Sequence, residues 1–495
     1  MSYTSLKFIV FIIGLMLIYY IFPKKYRWTI ILFGNLYFYY CLSKKLIIFV
    51  VLATLIVYLG AILLNKSNNR RKLIYLLTVS ITLGFLIVLK YNNFLSSLIN
   101  PIINIINLNI PFKKFILPIG ISYYTLEMIS YITDIYRKKY QPEKNYFKLL
   151  TFFTFFPKIV EGPISRYNEL SKSLFSEKSF NYNNCRKAFI LIGYGFIKKL
   201  IIADRAGIFV SNFLDNNNTG SYIILSMILY TIQIYMDFSG CIDIARGVSE
   251  LFNIELPENF KRPFFSKSIE EFWRRWHISL GLWLKDYIFF SISFSKINMR
   301  LNKLVRKIRF KHLSRFITIA FPLFFVWFVN GLWHGASLKY IIYGLYYYFI
   351  MMLGVLLKPL FDKIISVFKI NTKTFSYKLF QIIRTNIIVI IGMLLFRAST
   401  ISNFISTIGN IFIYSKHKLT DFGLTYLDFN ILIISLFVTF SISLASELNI
   451  DVRKKIEEQN LLFRWVIYLL IIFSIIIFGI YGKGYSASSF IYGGF

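Results

Sequence analysis

Residues 316–337 read Phe-Ile-Thr-Ile-Ala-Phe-Pro-Leu-Phe-Phe-Val-Trp-Phe-Val-Asn-Gly-Leu-Trp-His-Gly-Ala-Ser. From Phe316 to Val329 the run carries no charge, and at its end stand Asn330 and His334. A hydrocarbon layer about 30 Å thick takes roughly 20 apolar residues as a helix. The run therefore reads as a membrane span with polar chemistry at one end. Similar runs extend over Leu6 to Phe22 and near 28–43, 46–64, 73–89, 115–135, 147–160, 188–214, 222–236, 338–360, 379–397, 428–446 and 461–480. The expectation is an all-α polytopic membrane protein of about 11–13 spans. Re-entrant or interfacial helices would complete one integral-membrane domain over residues 1–495.

Composition agrees. Of 495 residues, 56% are apolar and 19% aromatic, and only 16% are charged; the mean hydropathy is +0.59. Soluble domains carry roughly 25% charged residues. The net charge of +34 does not describe a disordered basic tail, which would lack aromatics. Nor does it describe a nucleic-acid binder, because Lys and Arg lie between apolar runs and not along one soluble face. The first run ends at Pro23-Lys24-Lys25 without a small-residue cleavage site, so it reads as a retained span. Basic loops follow the first, third and fifth runs (Lys24, Lys25, Arg27; Lys66, Arg70, Arg71, Lys72; Arg137, Lys138, Lys139). Short loops rich in Lys and Arg stay cytoplasmic, which places the N-terminus outside. Arg453, Lys454, Lys455 and Arg464 before the last run place the C-terminus outside too.

Three cysteines, Cys41, Cys185 and Cys241, form no disulfide framework and no metal spacing. Cys41 and Cys241 read as small buried hydrophobes. No metal motif, nucleophile elbow or phosphate-binding loop is present, so no bound metal or cofactor is expected.

Chemistry is sought where polar groups interrupt apolar sequence, because such groups are costly in a membrane and face a partner or a cavity. Two segments qualify. In the run quoted above, Asn330, His334 and Ser337 would share one helix face, and Gly331 and Gly335 would strip bulk from around the imidazole. Two readings stand: a close contact of small residues between helices, or a roomy apolar pocket holding a neutral imidazole, which is the form a general base requires. The second segment runs from Ser268 to Tyr287. Ser268 and Glu271 read as a capping box, and Trp273, Trp276, Leu280, Trp283 and Tyr287 as an apolar helical stripe. Arg274, His277, Gly281 and Lys285 would form an adjacent stripe. It reads either as an interfacial helix with a snorkelling face or as a second functional histidine. The other histidines, His312 and His417, lie in basic loops and are expected to be solvated.

These residues carry a resemblance. Tyr235-Met236-Asp237-Phe238-Ser239-Gly240, Pro257-Glu258-Asn259-Phe260, Glu271-Phe272-Trp273-Arg274-Arg275-Trp276-His277-Ile278-Ser279-Leu280 and Asn330-Gly331-Leu332-Trp333-His334-Gly335-Ala336 resemble the bacterial branch of the membrane-bound O-acyltransferase (MBOAT) family. That branch serves alginate and peptidoglycan O-acetylation and teichoic acid D-alanylation. The matching motifs run through roughly residues 156–344, with Phe156 to Ile164 a weaker match.

The resemblance implies a helical fold around a central funnel, His334 as the catalytic histidine and His277 as the second. It implies an acyl thioester as donor substrate, acetyl-CoA or an acyl-carrier protein, reaching the site from the cytoplasm. It also implies an extracytoplasmic SGNH-type transferase as partner and a polysaccharide such as peptidoglycan or an alginate-like polymer as acceptor. Asn330, Asp286, Arg274, Lys285 and Trp333 are candidates for supporting or substrate-binding roles. Glu258 and Asn259 match the family's loop and read as scaffold. The basic run Lys303, Arg306, Lys307, Arg309, Lys311 and Arg315 is either a cytoplasmic anchor or a landing strip for an anionic donor. In the tail, residues 481–495, Phe490-Ile491-Tyr492-Gly493-Gly494-Phe495 resembles the family's terminal motif. Tyr492 is accordingly an acyl-carrier candidate, or else an interfacial aromatic anchor. Competing functions are teichoic acid D-alanyl transfer, a lipid-linked glycan transporter and a non-catalytic scaffold.

Overall fold

The structure is a computed structural model describing residues 1–103, 116–216, 218–305 and 311–481. Among the described residues it is all-helical, with one isolated backbone bridge, Phe260 to Trp276, outside the helices. Eight helical stretches are long and apolar enough to cross a membrane: Lys24–Lys66, Arg71–Ser97, Tyr222–Leu251, His312–His334, Leu338–Val367, Phe375–Arg397, Tyr426–Glu447 and Leu461–Phe478. This is a multi-pass membrane protein. Leu6–Ile21 is apolar but only 16 residues long.

Eight is the number of stretches that meet this length and hydropathy among the described residues, and Lys24–Lys66 holds two helices, Arg27–Ser43 and Ile47–Lys66. Three other apolar runs form shorter or interrupted helices. In the run 147–160 the helix covers only Tyr146–Phe153; Pro157, Gly162 and Pro163 lie in the non-helical chain that follows, where proline removes a donor and clashes with the preceding turn. The run 188–214 is helix Tyr182–Phe196, a π-helical stretch Ile197–Ala203 and helix Asp204–Leu214. It carries buried charge, Lys198, Lys199 and Arg205. In 115–135 the helix is Ile121–Tyr136, starting at Gly120, whose φ of 75° favours glycine.

The chain divides into two compact units. The first comprises Met1–Asp204, Ile234–Pro257 and Ile431–Phe495. Its centre is aromatic: Tyr3 stacks on Phe38 with ring centroids 5.6 Å apart, and Phe8 meets Phe156 edge-on. Several of its buried charges are paired, which offsets the cost of low-dielectric surroundings. Lys199 binds Asp237 at 2.6 Å and Asp204 at 2.9 Å, Lys198 binds Asp243 at 2.6 Å, and Lys158 pairs with Glu127. Cys241 is buried here as expected, whereas Cys41 is exposed on its helix and not a core residue.

The second unit comprises Arg205–Gln233 and Glu258–Asn430. Its frame is a hairpin of helices Lys311–His334 and Leu338–Val367. Small residues let the two backbones approach. A Cβ on Gly331 would lie 2.3 Å from the Tyr340 carbonyl oxygen, and one on Gly344 only 2.2 Å from that of Trp327.

Candidate active site

His334 is the last residue of the first hairpin helix, and Asn330 lies one turn before it. Ser337 does not share their face, contrary to the helical reading. The helix stops at His334, and Ser337 is the N-cap position of the next one. The glycines follow the first of the two readings, a close contact between helices: the space beside Gly331 and Gly335 is filled by the backbone and ring of Tyr340, so they close the hairpin and do not open space at the imidazole. Aromatic rings wall His334 in. Trp333, Phe396 and Tyr343 lie with centroids 5.0, 5.3 and 5.7 Å from its ring, all edge-on. Phe396 comes from helix Phe375–Arg397.

The Ser268–Tyr287 segment is not one helix. Ile269–Arg275 and Ile278–Leu284 are separate seven-residue helices, followed by a π-helical turn, Lys285–Phe289. The break falls on His277, whose φ of 47° and ψ of 53° are left-handed. That conformation is costly for a side-chain-bearing residue and persists where surroundings over-determine it. The surroundings here are the 259–262 loop. The Lys261 N–H donates to the Arg275 carbonyl at 2.8 Å, and the Ile278 N–H to the Asn259 carbonyl at 3.0 Å. Trp276, 2% exposed, bridges to Phe260 and meets its ring edge-on at 5.2 Å. The single apolar stripe of the sequence reading is replaced by two helix faces turned by this corner. The cap is half as expected: Ser268 Oγ accepts from the Glu271 N–H at 3.1 Å, but the Glu271 carboxylate reaches the Lys267 N–H, at 2.9 Å.

The two histidines meet across one indole. Trp333 lies 5.6 Å from the His277 ring, against its 5.0 Å from His334. Both imidazoles are only 3% exposed, yet both line a cavity of about 1170 Å³. Burial pushes the His277 pKa down to about 3, because an imidazolium would lose its hydration there. His277 is therefore neutral at physiological pH. Its Nδ1 edge faces the Asn259 side chain, 3.2 Å from Nδ2.

Asn330, Arg274 and Lys285 also line the cavity, as does Gly281. Arg274 is held by Glu270 at 3.1 Å on an exposed surface. Trp333 and Asp286 are not among the lining residues: Trp333 packs behind the two rings, and Asp286 sits in the π-helical turn. His312 is exposed but belongs to the cavity rim, at the start of the helix that ends in His334, and not to a basic loop. Tyr492, Arg306, Lys307 and Arg309 lie outside the described residues. Sequence reasoning missed the far walls of the cavity, which Ile350, Met351, Arg384 and Thr385 supply. Spacing within one segment could not have found them, since they come from other helices. No cluster of residues suited to a metal ion occurs among the described residues.

Fold and site together define an integral-membrane protein with a cavity lined by two buried imidazoles. The family model for the membrane-bound O-acyltransferases matches residues 138–397, and the chain belongs to that family; O-acyl transfer is the reaction class of its members. It is 32% identical over 390 residues to a protein named as a probable alginate O-acetylase from Pseudomonas syringae, covering 78% of this chain and 70% of that one. It is 27% identical to a peptidoglycan O-acetyltransferase of Helicobacter pylori, over 66% of this chain and 63% of the relative. A teichoic acid D-alanyltransferase of Bacillus subtilis is 34% identical, over 47% and 58%. The chain thus spans between about half and 70% of the curated relatives it matches.

Proposed function

We propose that the chain moves an acetyl or other short acyl group from a cytoplasmic thioester toward a hydroxyl of an exported or cell-wall polysaccharide. The observation that carries this reading is the pair of buried histidines on one cavity, both touching Trp333. His334 accepts the hydroxyl proton as the oxygen attacks the thioester carbon. The tetrahedral intermediate then collapses, the carbon–sulfur bond breaks, and the imidazolium returns the proton to the departing thiolate. General-base assistance of this kind contributes roughly 10²–10⁴-fold. His277 faces the oxygen on which charge develops, where a preorganised neutral donor is effective.

Arg274 and Lys285 at the cavity wall suit the phosphates of acetyl-CoA or the acidic surface of an acyl-carrier protein. Tyr492 is a carrier for the acyl group on the outer side, since a phenol ester (Tyr pKa about 10) is a better donor than an alkyl ester. An SGNH-type transferase outside the membrane completes delivery, with both termini of this chain on that side. The relative named as a D-alanyltransferase supports a second reading, in which the donor is a D-alanyl carrier.

The test uses membrane vesicles containing the full chain and acetyl-CoA labelled in the acetyl group. Label is expected to reach the C-terminal peptide or a supplied glycan. Loss by roughly 10²–10⁴-fold in His334→Ala, inserted to the same level, is expected for removal of the base. Full turnover by that variant would overturn the reading, and use of a D-alanyl carrier alone would select the second.

A further inference from the structure

Asn330 is 4% exposed and lines the cavity, yet its side chain makes no hydrogen bond among the described residues. Neither of its amide atoms is sealed off from the cavity. Other buried asparagines are engaged. Asn35 donates from Nδ2 to the Thr151 carbonyl at 3.1 Å and accepts the Phe156 N–H at 2.9 Å, and Asn259 Oδ1 accepts the Ser279 N–H at 2.9 Å. An amide withdrawn from water without a partner costs free energy, so the open amide of Asn330 points to a guest that pairs with it.

The helix that carries Asn330 shows what kind of guest. His312 and His334, near its two ends, line the same cavity, about 33 Å apart at 1.5 Å per residue. Between them Ile319, Leu323 and Val326 add no polar side-chain atom to the lining, and Trp327 adds only a ring N–H. Asn330 alone among these four and itself offers both a donor and an acceptor. A sugar laid on this wall would leave most of its hydroxyls unpaired, at a cost for each. A mainly hydrocarbon chain with one amide at the level of Asn330 would be matched. Acyl thioesters of coenzyme A and of acyl-carrier proteins have such a chain, since two methylenes and then an amide follow the sulfur. Four bonds, about 5 Å at ordinary bond lengths, separate the thioester carbon from that amide nitrogen. Asn330 precedes His334 by one turn, about 6 Å of helix rise. Helical side chains tilt toward the N-terminus, so the imidazole leans back over that turn. With the thioester at His334, the amide falls beside Asn330.

We propose that Asn330 is a specificity residue: its carboxamide hydrogen-bonds the donor amide nearest the thioester and so seats the acyl carbon at His334. The proposal rests on the acyl-transfer reading and adds to it the part of the donor that is recognised. Asn330 binds and moves no proton.

Two small thioesters test this. S-acetyl-N-acetylcysteamine carries the amide, and S-pentyl thioacetate has carbon in its place. Both, and acetyl-CoA as a third donor, are given to vesicles containing the full chain, wild type or Asn330→Leu, and thiol release is followed. The variant is expected to lose roughly 10-fold in kcat/KM on the two amide-bearing donors, the worth of one hydrogen bond. The loss should lie in KM and not in kcat, as for removal of a binding contact. On the pentyl donor, wild type and variant should be equal. Partition of that donor into the bilayer cancels in the ratio of the two proteins. Leucine is close to asparagine in shape, and an apolar group in place of an unpartnered buried amide does not destabilise, so Asn330→Leu should melt in detergent no earlier than wild type. Equal ratios on all donors, an unchanged KM for acetyl-CoA, a loss confined to kcat, or an Asn330→Leu chain that does not fold would each overturn the proposal and leave acyl transfer standing. A wild type that releases thiol from none of the three removes the acyl-transfer reading, and the proposal with it.

Discussion

The two histidine segments line one cavity, yet the chain holds them by opposite means. His334 ends a long apolar helix whose position is set by backbone contact with its hairpin partner through Gly331 and Gly344. His277 sits at a left-handed corner between two short helices and is held by hydrogen bonds from the 259–261 loop. The lesson is that an imidazole can be preorganised by close packing or by polar ties. The two supports should fail differently: packing fails through volume, and a corner fails through backbone conformation.

The largest effect is expected where volume enters the hairpin. Gly344→Val would put a Cβ 2.2 Å from the Trp327 carbonyl oxygen, whereas nothing lies within 4 Å of a Cβ on Gly354 of the same helix. Gly344→Val should yield no folded protein by size-exclusion in detergent, and Gly354→Ala should elute and melt as the wild type does. Equal behaviour of the two would break the claim that packing places His334.

Next come the rings themselves. His334→Val should insert and fold, since its position is helical, and should lose roughly 10²–10⁴-fold in thioester turnover. His277→Val should fail to fold, because a β-branched residue resists a φ of 47°. His277→Asn, a residue that tolerates this conformation, should fold and lose roughly 10²–10³-fold. Folded, well-melting His277→Val protein would sink the contrast.

How much of this was legible follows from the same contrast. The His334 side was readable because a membrane helix announces itself by a long apolar run, and Asn330 follows from helical periodicity. The helix end at His334 was not readable, since the periodic pattern continues to Ser337 while the Tyr340 ring and backbone, which close the hairpin, belong to another helix. The His277 side was misread as one helix. Its apolar residues do recur at three and four, and Trp276, Leu280 and Trp283 are all buried. The corner is imposed by Asn259 and Phe260, some 17 positions upstream in sequence, through contacts that no local spacing encodes. The run 188–214 is a related case: Lys198, Lys199 and Asp204 are tolerated in apolar sequence because each finds a buried partner.

A smaller effect separates the two supports by pH. His277 has its pKa lowered by burial to about 3, against an ordinary value of about 6.5. The folded chain therefore refuses a proton that the unfolded chain accepts below about 6.5. Stability is unaffected above that pH and falls as pH drops from about 6.5 toward 3. Thermal unfolding in detergent at about pH 7 and about pH 5 should show this loss, and His277→Asn should flatten it relative to the wild type. An unchanged pH dependence in that variant would mean that His277 is not buried as a neutral ring.

The smallest effect tests whether the short helix before the corner helps to hold it. Ser268 Oγ caps helix Ile269–Arg275 through the Glu271 N–H, and losing such a cap costs about 1 kcal/mol. In Ser268→Ala the Glu271 carboxylate still receives the Lys267 N–H at 2.9 Å and Arg275 at 2.7 Å, so the helix start keeps part of its support. The corner itself keeps every tie to Asn259 and Lys261. Ser268→Ala should melt slightly earlier and turn over thioester at the wild-type rate. A collapse of turnover with little change in melting would show that the helix, and not the loop, sets the ring, and the distinction between packed and tied histidines would have to be redrawn with His277 on the packed side.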